Sequence, residues 1–209
     1  MCRPEDTVFL VDDDPAVLKA IERLLRSEGL HVAAFGSPQE FLEHHDPDAP
    51  GCVVLDLSMP ELNGLDLQRT LAEREQARPT VFLSGQGDIP ASVRAMKQGA
   101  VDFLTKPVND GDLLNAIRQA LARDRAARAQ DADKAEVRLR LATLTPRERE
   151  VLSHVVAGRL NKQIAADLGT VEKTVKVHRA HIMRKLQVRS LAELIRLADK
   201  AGLTAPPEY

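Results

Sequence analysis

Asp12, Asp13 and Asp14 follow directly on the apolar run TVFLV, and three adjacent like charges need something to hold them together. Further polar residues close similar runs: Asp56 ends CVVLD, Ser84 ends TVFLS, and Lys106 follows VDFLT. Carboxylates of this kind suit a hard cation such as Mg2+, which takes one or two of them and keeps several waters. A carboxylate nucleophile, with lysine and Mg2+ neutralising charge on the transferring oxygens, can accept a phosphoryl group. Asp14 stands apart, because it precedes Pro15 and a helical pattern, and an N-cap role accounts for it.

These residues meet only if the runs are parallel strands of one sheet. TVFLV, HVAAF, CVVLDL, TVFLS and VDFL alternate with amphipathic stretches that start near residues 15, 38, 63, 89 and 110. The alternation predicts an α/β fold with a doubly wound, five-stranded parallel sheet covered on both faces. In such a sheet ligands bind beyond the carboxyl ends of the strands, which is where Asp12, Asp13, Asp56, Ser84 and Lys106 all fall. Ser37-Pro38-Gln39-Glu40 predicts a capping box with proline at the first helical position.

Beyond Asp110, the spacing of Leu113, Leu114, Ile117 and Leu121 gives one apolar helical face, which thins into RDRAARAQDADKAEVRLRL. With no Gly or Pro, this stretch is expected to extend the helix as a semi-rigid linker as far as Leu141. The chain therefore divides into domains at residues 1–122 and 143–209, with the linker over 123–142. In the last block Thr145-Pro146-Arg147-Glu148 and Ser190-Leu191-Ala192-Glu193 predict capping boxes, and Gly158 and Gly169 predict helix stops. Four helices are expected, over about 146–157, 161–168, 171–187 and 190–201.

Charge separates the same blocks. Residues 1–122 hold 11 Lys+Arg against 20 Asp+Glu, whereas residues 143–209 hold 12 against 7. A cation site in front and an anionic partner behind follow from that split. No run is apolar for long enough to span a membrane and the N-terminus lacks a signal sequence, so a cytoplasmic protein with no membrane partner is expected. Two cysteines make no disulfide framework, and His44 and His45, with no metal-ligand spacing, are expected in a solvated turn.

In the predicted third helix of the last block, Val171, Val175, Ile182 and Leu186 share one stripe. Lys173, Val177, Ala180 and Arg184 lie opposite, flanked by Lys176 and His181. Such a helix can enter a DNA major groove, with Lys and Arg for phosphates and guanines and small apolar groups for thymine methyls. No aromatic residue is placed to stack bases, which disfavours single-stranded nucleic acid.

VDDD, LDLSMPELNG, FLSGQGDI and AVDFLTKP together resemble the receiver domain of bacterial two-component response regulators, a CheY-like or flavodoxin-like fold. Asp56, Pro60 and Gly64 match its D-x-x-x-P-x-x-x-G, and Lys106-Pro107 its K-P with a cis peptide bond. The resemblance implies that Asp56 is the phosphoacceptor for a sensor histidine kinase, and that Asp13, Asp56 and the Ser58 carbonyl ligate Mg2+ while Asp12 acts through water. It also implies that Lys106 contacts the phosphoryl group, that Ser84 and Phe103 form a switch pair, and that phosphorylation favours a homodimer. Gln86 sits where relatives often carry His, which points to an altered lifetime of the phosphorylated state.

LTPREREVL, NKQIAADL and TVKVHRAHIMRKL resemble the LuxR-type helix-turn-helix, an all-α four-helix domain. With the receiver in front, the chain is similar to the NarL/FixJ family, and GDIPASVRAMKQGAVDFLTKP to its FixJ-like branch. By resemblance Lys173, Thr174, Lys176, Val177 and Ala180 face the groove, and Asn161, Lys162 and Arg184 are candidates for the DNA backbone. Arg179 either reaches a phosphate or pairs within the domain. The function implied is transcription regulation on double-stranded promoter DNA, with RNA polymerase a further partner and no enzymatic activity beyond self-phosphorylation and slow autodephosphorylation of Asp56. Two other readings stay open on residues alone: an aspartate-nucleophile phosphatase, and a DNA-binding protein indifferent to phosphorylation.

Overall fold

The computed structural model describes residues 6–60, 62–85 and 89–202. Five short strands, β1 (Thr7–Val11), β2 (His31–Phe35), β3 (Gly51–Asp56), β4 (Thr80–Ser84) and β5 (Asp102–Thr105), pair in parallel in the order β2-β1-β3-β4-β5. Every residue of β1, β3 and β4 is buried, which explains why those strands read as continuous apolar runs instead of alternating ones. Alternate side chains feed two cores. Val8 and Leu10 pack with Ile21, Leu25, Leu113 and Ile117 on one face, and Phe9 and Val11 with Phe41, Leu55, Leu67 and Phe82 on the other.

The covering helices are α1 (Pro15–Ser27), α2 (Pro38–His44), α3 (Gly64–Glu73), α4 (Ile89–Lys97) and α5 (Asp110–Ala142). The Asp14 carboxylate accepts from the Ala16 and Val17 N–H groups at the start of α1, the expected cap. At α2 the Ser37 hydroxyl accepts from the Glu40 N–H as expected, but the Glu40 carboxylate accepts from the Gly36 N–H. Glu193 likewise reaches back to the Arg189 N–H beside the Ser190 cap. Of the three expected boxes, that of Thr145 and Glu148 is reciprocal.

The chain forms two compact units that divide between Arg128 and Ala129, inside the 33-residue α5. Residues 123–142 form the carboxyl-terminal part of that helix. Asp124 is buried within the first unit, while Val137 joins the apolar core of the second. In that unit α6 (Pro146–Val156), α7 (Asn161–Asp167), α8 (Glu172–Lys185) and α9 (Leu191–Lys200) surround Val151, Ile164, Val175, Ile182 and Leu194. Gly158 and Gly169 follow α6 and α7 with φ of 75° and 59°, the left-handed conformation that ends a helix and that glycine adopts without steric cost.

Candidate functional site

Strand order reverses between β1 and β3, and in an open α/β sheet that crevice, at the carboxyl ends, is where ligands bind. Asp12 follows β1 and Asp56 ends β3, so both carboxylates sit at the crevice; each is almost fully buried. Two charges in such a place require compensation. Lys106 supplies it from the end of β5, with Nζ 2.6 Å from Asp12 Oδ2 and 2.6 Å from Asp56 Oδ1. Backbone donors take the remaining oxygens: the Asp14 N–H reaches Asp12 Oδ1 at 3.0 Å, and the Ser58 N–H reaches Asp56 Oδ2 at 2.8 Å.

These contacts tune the charges. Burial raises the Asp12 pKa, with the Asp56 charge adding to it, and outweighs the lowering by Lys106 and the Asp14 N–H. For Lys106 burial acts downward, but hydrogen bonds and attraction from both carboxylates prevail and its pKa is raised. The lysine therefore remains the cation of the cluster.

Local geometry around Asp56 is set by a glycine. A side chain on Gly64 would stand 2.4 Å from the Asp56 carbonyl oxygen, and the Gly64 N–H donates to the Leu57 carbonyl at 3.1 Å. The eighth residue after Asp56 must therefore lack a Cβ if the β3–α3 loop is to fold back on the strand end. Asn63 caps α3 through the Asp66 N–H. Ser84 is buried at the end of β4, beside β5, where its carbonyl accepts from the Lys106 N–H at 2.7 Å. The Lys106-Pro107 peptide is cis. Phe103 is half-buried on β5, with its ring 6.5 Å from that of Phe82. Asp13 and Ser58 are exposed at the rim. Among the described residues no three carboxylate, His or Cys side chains form a ready cation cage; Lys106 stands between Asp12 and Asp56.

The second unit carries the opposite charge on an open surface. Val175, Ile182 and Leu186 anchor α8 in the core, which turns Lys173, Lys176, Val177, Ala180, His181 and Arg184 to solvent. Thr174 is half-buried beside them, and Lys162 is exposed near the start of α7. Lys176 pairs with Glu172 one turn earlier at 3.1 Å. Arg179 donates to Asn161 Oδ1 at 2.9 Å, so the arginine pairs within the unit and Asn161 already uses one of its polar atoms to tie α7 to α8.

Comparison with known proteins agrees with both halves. Residues 8–118 match the response regulator receiver domain, and residues 142–198 match the bacterial regulatory proteins of the luxR family. Nodulation protein W of Bradyrhizobium diazoefficiens is 47% identical over 95% of this chain and 87% of its own length. The transcriptional regulatory protein FixJ of Azorhizobium caulinodans is 42% identical over 94% of this chain and 93% of its own. The solved structure of the response regulator StyR, 45% identical, superposes with a TM-score of 0.83 over 94% of this chain and 99% of that one. This chain belongs to the two-component response regulators. Its second domain is the LuxR-type DNA-binding domain, so this response regulator is a transcription regulator.

Two sequence expectations for the response regulator are corrected. Val171 is 64% exposed, not packed, because the backbone there is extended and α8 begins one residue later; a helical wheel does not apply to a residue outside the helix. His45 is buried, not solvated. Its ring stacks on Phe41 at 4.3 Å and its Nδ1 lies 2.6 Å from the Phe41 carbonyl. Burial pulls its pKa down, and Nε2 has no hydrogen-bond partner among the described residues. Gln86 falls outside the described residues. Arg78 is buried with its guanidinium 4.7 Å from the centre of the Phe9 ring, a pairing that no local pattern signals because Phe9 is distant in the chain.

Proposed function

We propose that this response regulator takes a phosphoryl group on Asp56 from a phosphohistidine of a sensor histidine kinase, dimerises as a result, and binds paired half-sites in promoter DNA to regulate transcription in the cytoplasm. The carrying observation is the Asp12–Lys106–Asp56 cluster at the topological switch point. A carboxylate oxygen of Asp56 attacks phosphorus, the P–N bond to histidine breaks with its electron pair returning to the imidazole, and Asp56 becomes an acyl phosphate. Lys106 lies within reach to pair with the transferred oxygens.

The donor set fits Mg2+: two buried carboxylates, the exposed Asp13 beside them and the Ser58 carbonyl give hard oxygens without a closed cage. Asp13, Asp56 and Ser58 would hold the ion directly and Asp12 through water. When bound, it supplies positive charge against the phosphoryl oxygens.

Ser84, buried at the end of β4, would turn toward the new charge, and the half-buried Phe103 would fill the space it leaves. On the neighbouring α4, Ile89, Val93 and Met96 are 74%, 46% and 47% exposed at helical spacing, an apolar stripe that a second copy would cover. Phosphorylation then acts as a population shift toward the dimer, and two linked DNA-binding domains gain affinity for two half-sites. On DNA, Lys173, Thr174, Lys176, Val177 and Ala180 would face the groove, with Asn161, Lys162 and Arg184 toward the backbone. RNA polymerase would be the further partner on the promoter.

Incubation with Mg2+ and phosphoramidate, read by intact mass and size-exclusion chromatography, tests this reading. The parent protein gains one phosphoryl group and shifts toward dimer, whereas Asp56→Asn gains none. Equal labelling of both overturns Asp56 as acceptor, and a labelled parent that stays monomeric overturns the dimer switch.

A further inference from the structure

Asn161 opens α7 and Arg179 lies in the middle of α8, 18 residues later in the chain. Both are half-buried, and Arg179 Nη1 donates to Asn161 Oδ1 at 2.9 Å. A guanidinium offers donors and no acceptor, so the amide atom that faces it must be the oxygen. The backbones of the two helices are held beneath the pair by Ile164 and Ala165 of α7 and Val175 and Ile182 of α8, which share one apolar core. The pair is therefore not needed to bring the helices together, and what it fixes is the orientation of the Asn161 amide.

With Oδ1 turned to Arg179, Asn161 is left with the two N–H groups of Nδ2, which have no partner among the described residues. A DNA phosphate oxygen only accepts, so it suits an amide that offers N–H groups alone. An asparagine that reads adenine instead needs its oxygen and its nitrogen on the same base edge, and here the oxygen is turned toward α8. The cation adds to this, because a donor on the carbonyl polarises the amide and strengthens the N–H on its other side. No carboxylate pairs with Arg179 among the described residues, so its charge acts on the amide undiminished by an acidic partner.

Resting on the placement of Asn161 toward the DNA backbone, we propose that Arg179 is a positioning residue for DNA binding: by holding Asn161 Oδ1 it presents the Asn161 N–H groups to a phosphate. Asn161 then supplies affinity and register instead of reading a base. Arg179 acts through Asn161 and makes no separate contact with the duplex. Sequence discrimination is left to other residues of the α8 face.

The test uses the full chain after phosphoramidate treatment, with a duplex that the parent selects from a randomised pool and a scrambled duplex of equal length. Affinities are read by fluorescence anisotropy at one fixed salt concentration. Arg179→Met and Asn161→Ala are each expected to weaken binding to both duplexes alike, by at least about fivefold. The double variant is expected to fall within about twofold of the weaker single variant. Asn161→Asp keeps an acceptor for Arg179 but loses both N–H groups, and is expected to bind no better than Asn161→Ala while its Tm is no lower than the parent's. Losses that multiply in the double variant overturn the proposal, because Arg179 then acts on DNA by itself. A loss confined to the selected duplex overturns it too, since Asn161 then reads a base. So does parent-like binding by Asn161→Asp, which would reduce the pair to a tie between helices, or by either other single variant. A parent that selects no duplex from the pool overturns the DNA-facing placement itself, and the proposal with it.

Discussion

Lys106 ends between two buried carboxylates, while Lys173 extends from α8 into solvent. The first lysine was brought by β5 to Asp56 and to Asp12, the latter 94 residues away in the chain; the second shares one helix face with Lys176, Val177, Ala180 and Arg184. A buried cluster is held by its own fields, so each member is also part of the stability of the fold. An exposed basic face has its stability arranged elsewhere, in Val175, Ile182 and Leu186, and leaves its charges available to a partner. Chemistry that needs a desolvated nucleophile suits the former. Recognition of a polyanion, which gains by releasing counterions, suits the latter.

The sharpest way to break that contrast is to remove the same charge from both places. Lys106→Met leaves Asp12 and Asp56 facing each other, and is expected to cost about 3–5 kcal/mol at pH 7, less to the extent that water reaches the vacated space. Burial already raises the Asp12 pKa, and without the lysine it rises further. An acid whose pKa is raised by folding weakens the fold as pH climbs through that pKa, so the deficit should shrink as pH falls into the carboxylate range. Urea unfolding at a series of pH values checks this.

Glu148 is a test inside the basic domain. Its carboxylate is buried and accepts from Lys185 at 2.6 Å and from the Thr145 N–H at 2.8 Å. Burial opposes ionisation, but these donors outweigh it and bring the pKa to about 2 from 4.5. Because the folded value is depressed, this stabilisation is complete above about 4.5 and is lost as pH falls from there toward about 2. Glu148→Gln should therefore cost about 1–2 kcal/mol at neutral pH, with the gap to the parent closing below pH 4.5 in thermal melts.

Lys173→Met is the counterpart of the lysine removal in the receiver. It should leave stability within about 0.5 kcal/mol while lowering by about 1 the slope of log binding constant against log salt. A stability loss comparable with that of Lys106→Met would erase the distinction between the two centres. The smallest effect is expected at Val171, which occupies the N-cap of α8 in extended backbone with no side-chain hydrogen bond. Val171→Ser should gain about 0.5–1 kcal/mol from a new cap, read as a small rise in Tm.

Much of this was legible in the residues. Pro15, Pro38, Pro146 and the caps before them mark helix starts because their chemistry is local, and the apolar runs mark the strands because β1, β3 and β4 are buried on both faces. The motif Asp56…Pro60…Gly64 announced a site. What its glycine does became visible only in the approach of its backbone to the Asp56 carbonyl. The two corrected positions differ in cause: His45 is buried because rings such as Phe9, distant in the chain, cover it, which a turn-like neighbourhood does not show, whereas Val171 is exposed because α8 begins one residue later than the helical wheel assumes.

The sequence by itself determined which residues cap, which alternate and which can carry charge, since those properties follow from side-chain chemistry and a few neighbours. Only the tertiary structure decided that Lys106 would stand between Asp12 and Asp56, that Arg179 would pair with Asn161, and that Arg78 and Arg128 would meet on one loop. Each of those contacts joins groups far apart along the chain, and their distances are fixed by how the sheet and helices pack.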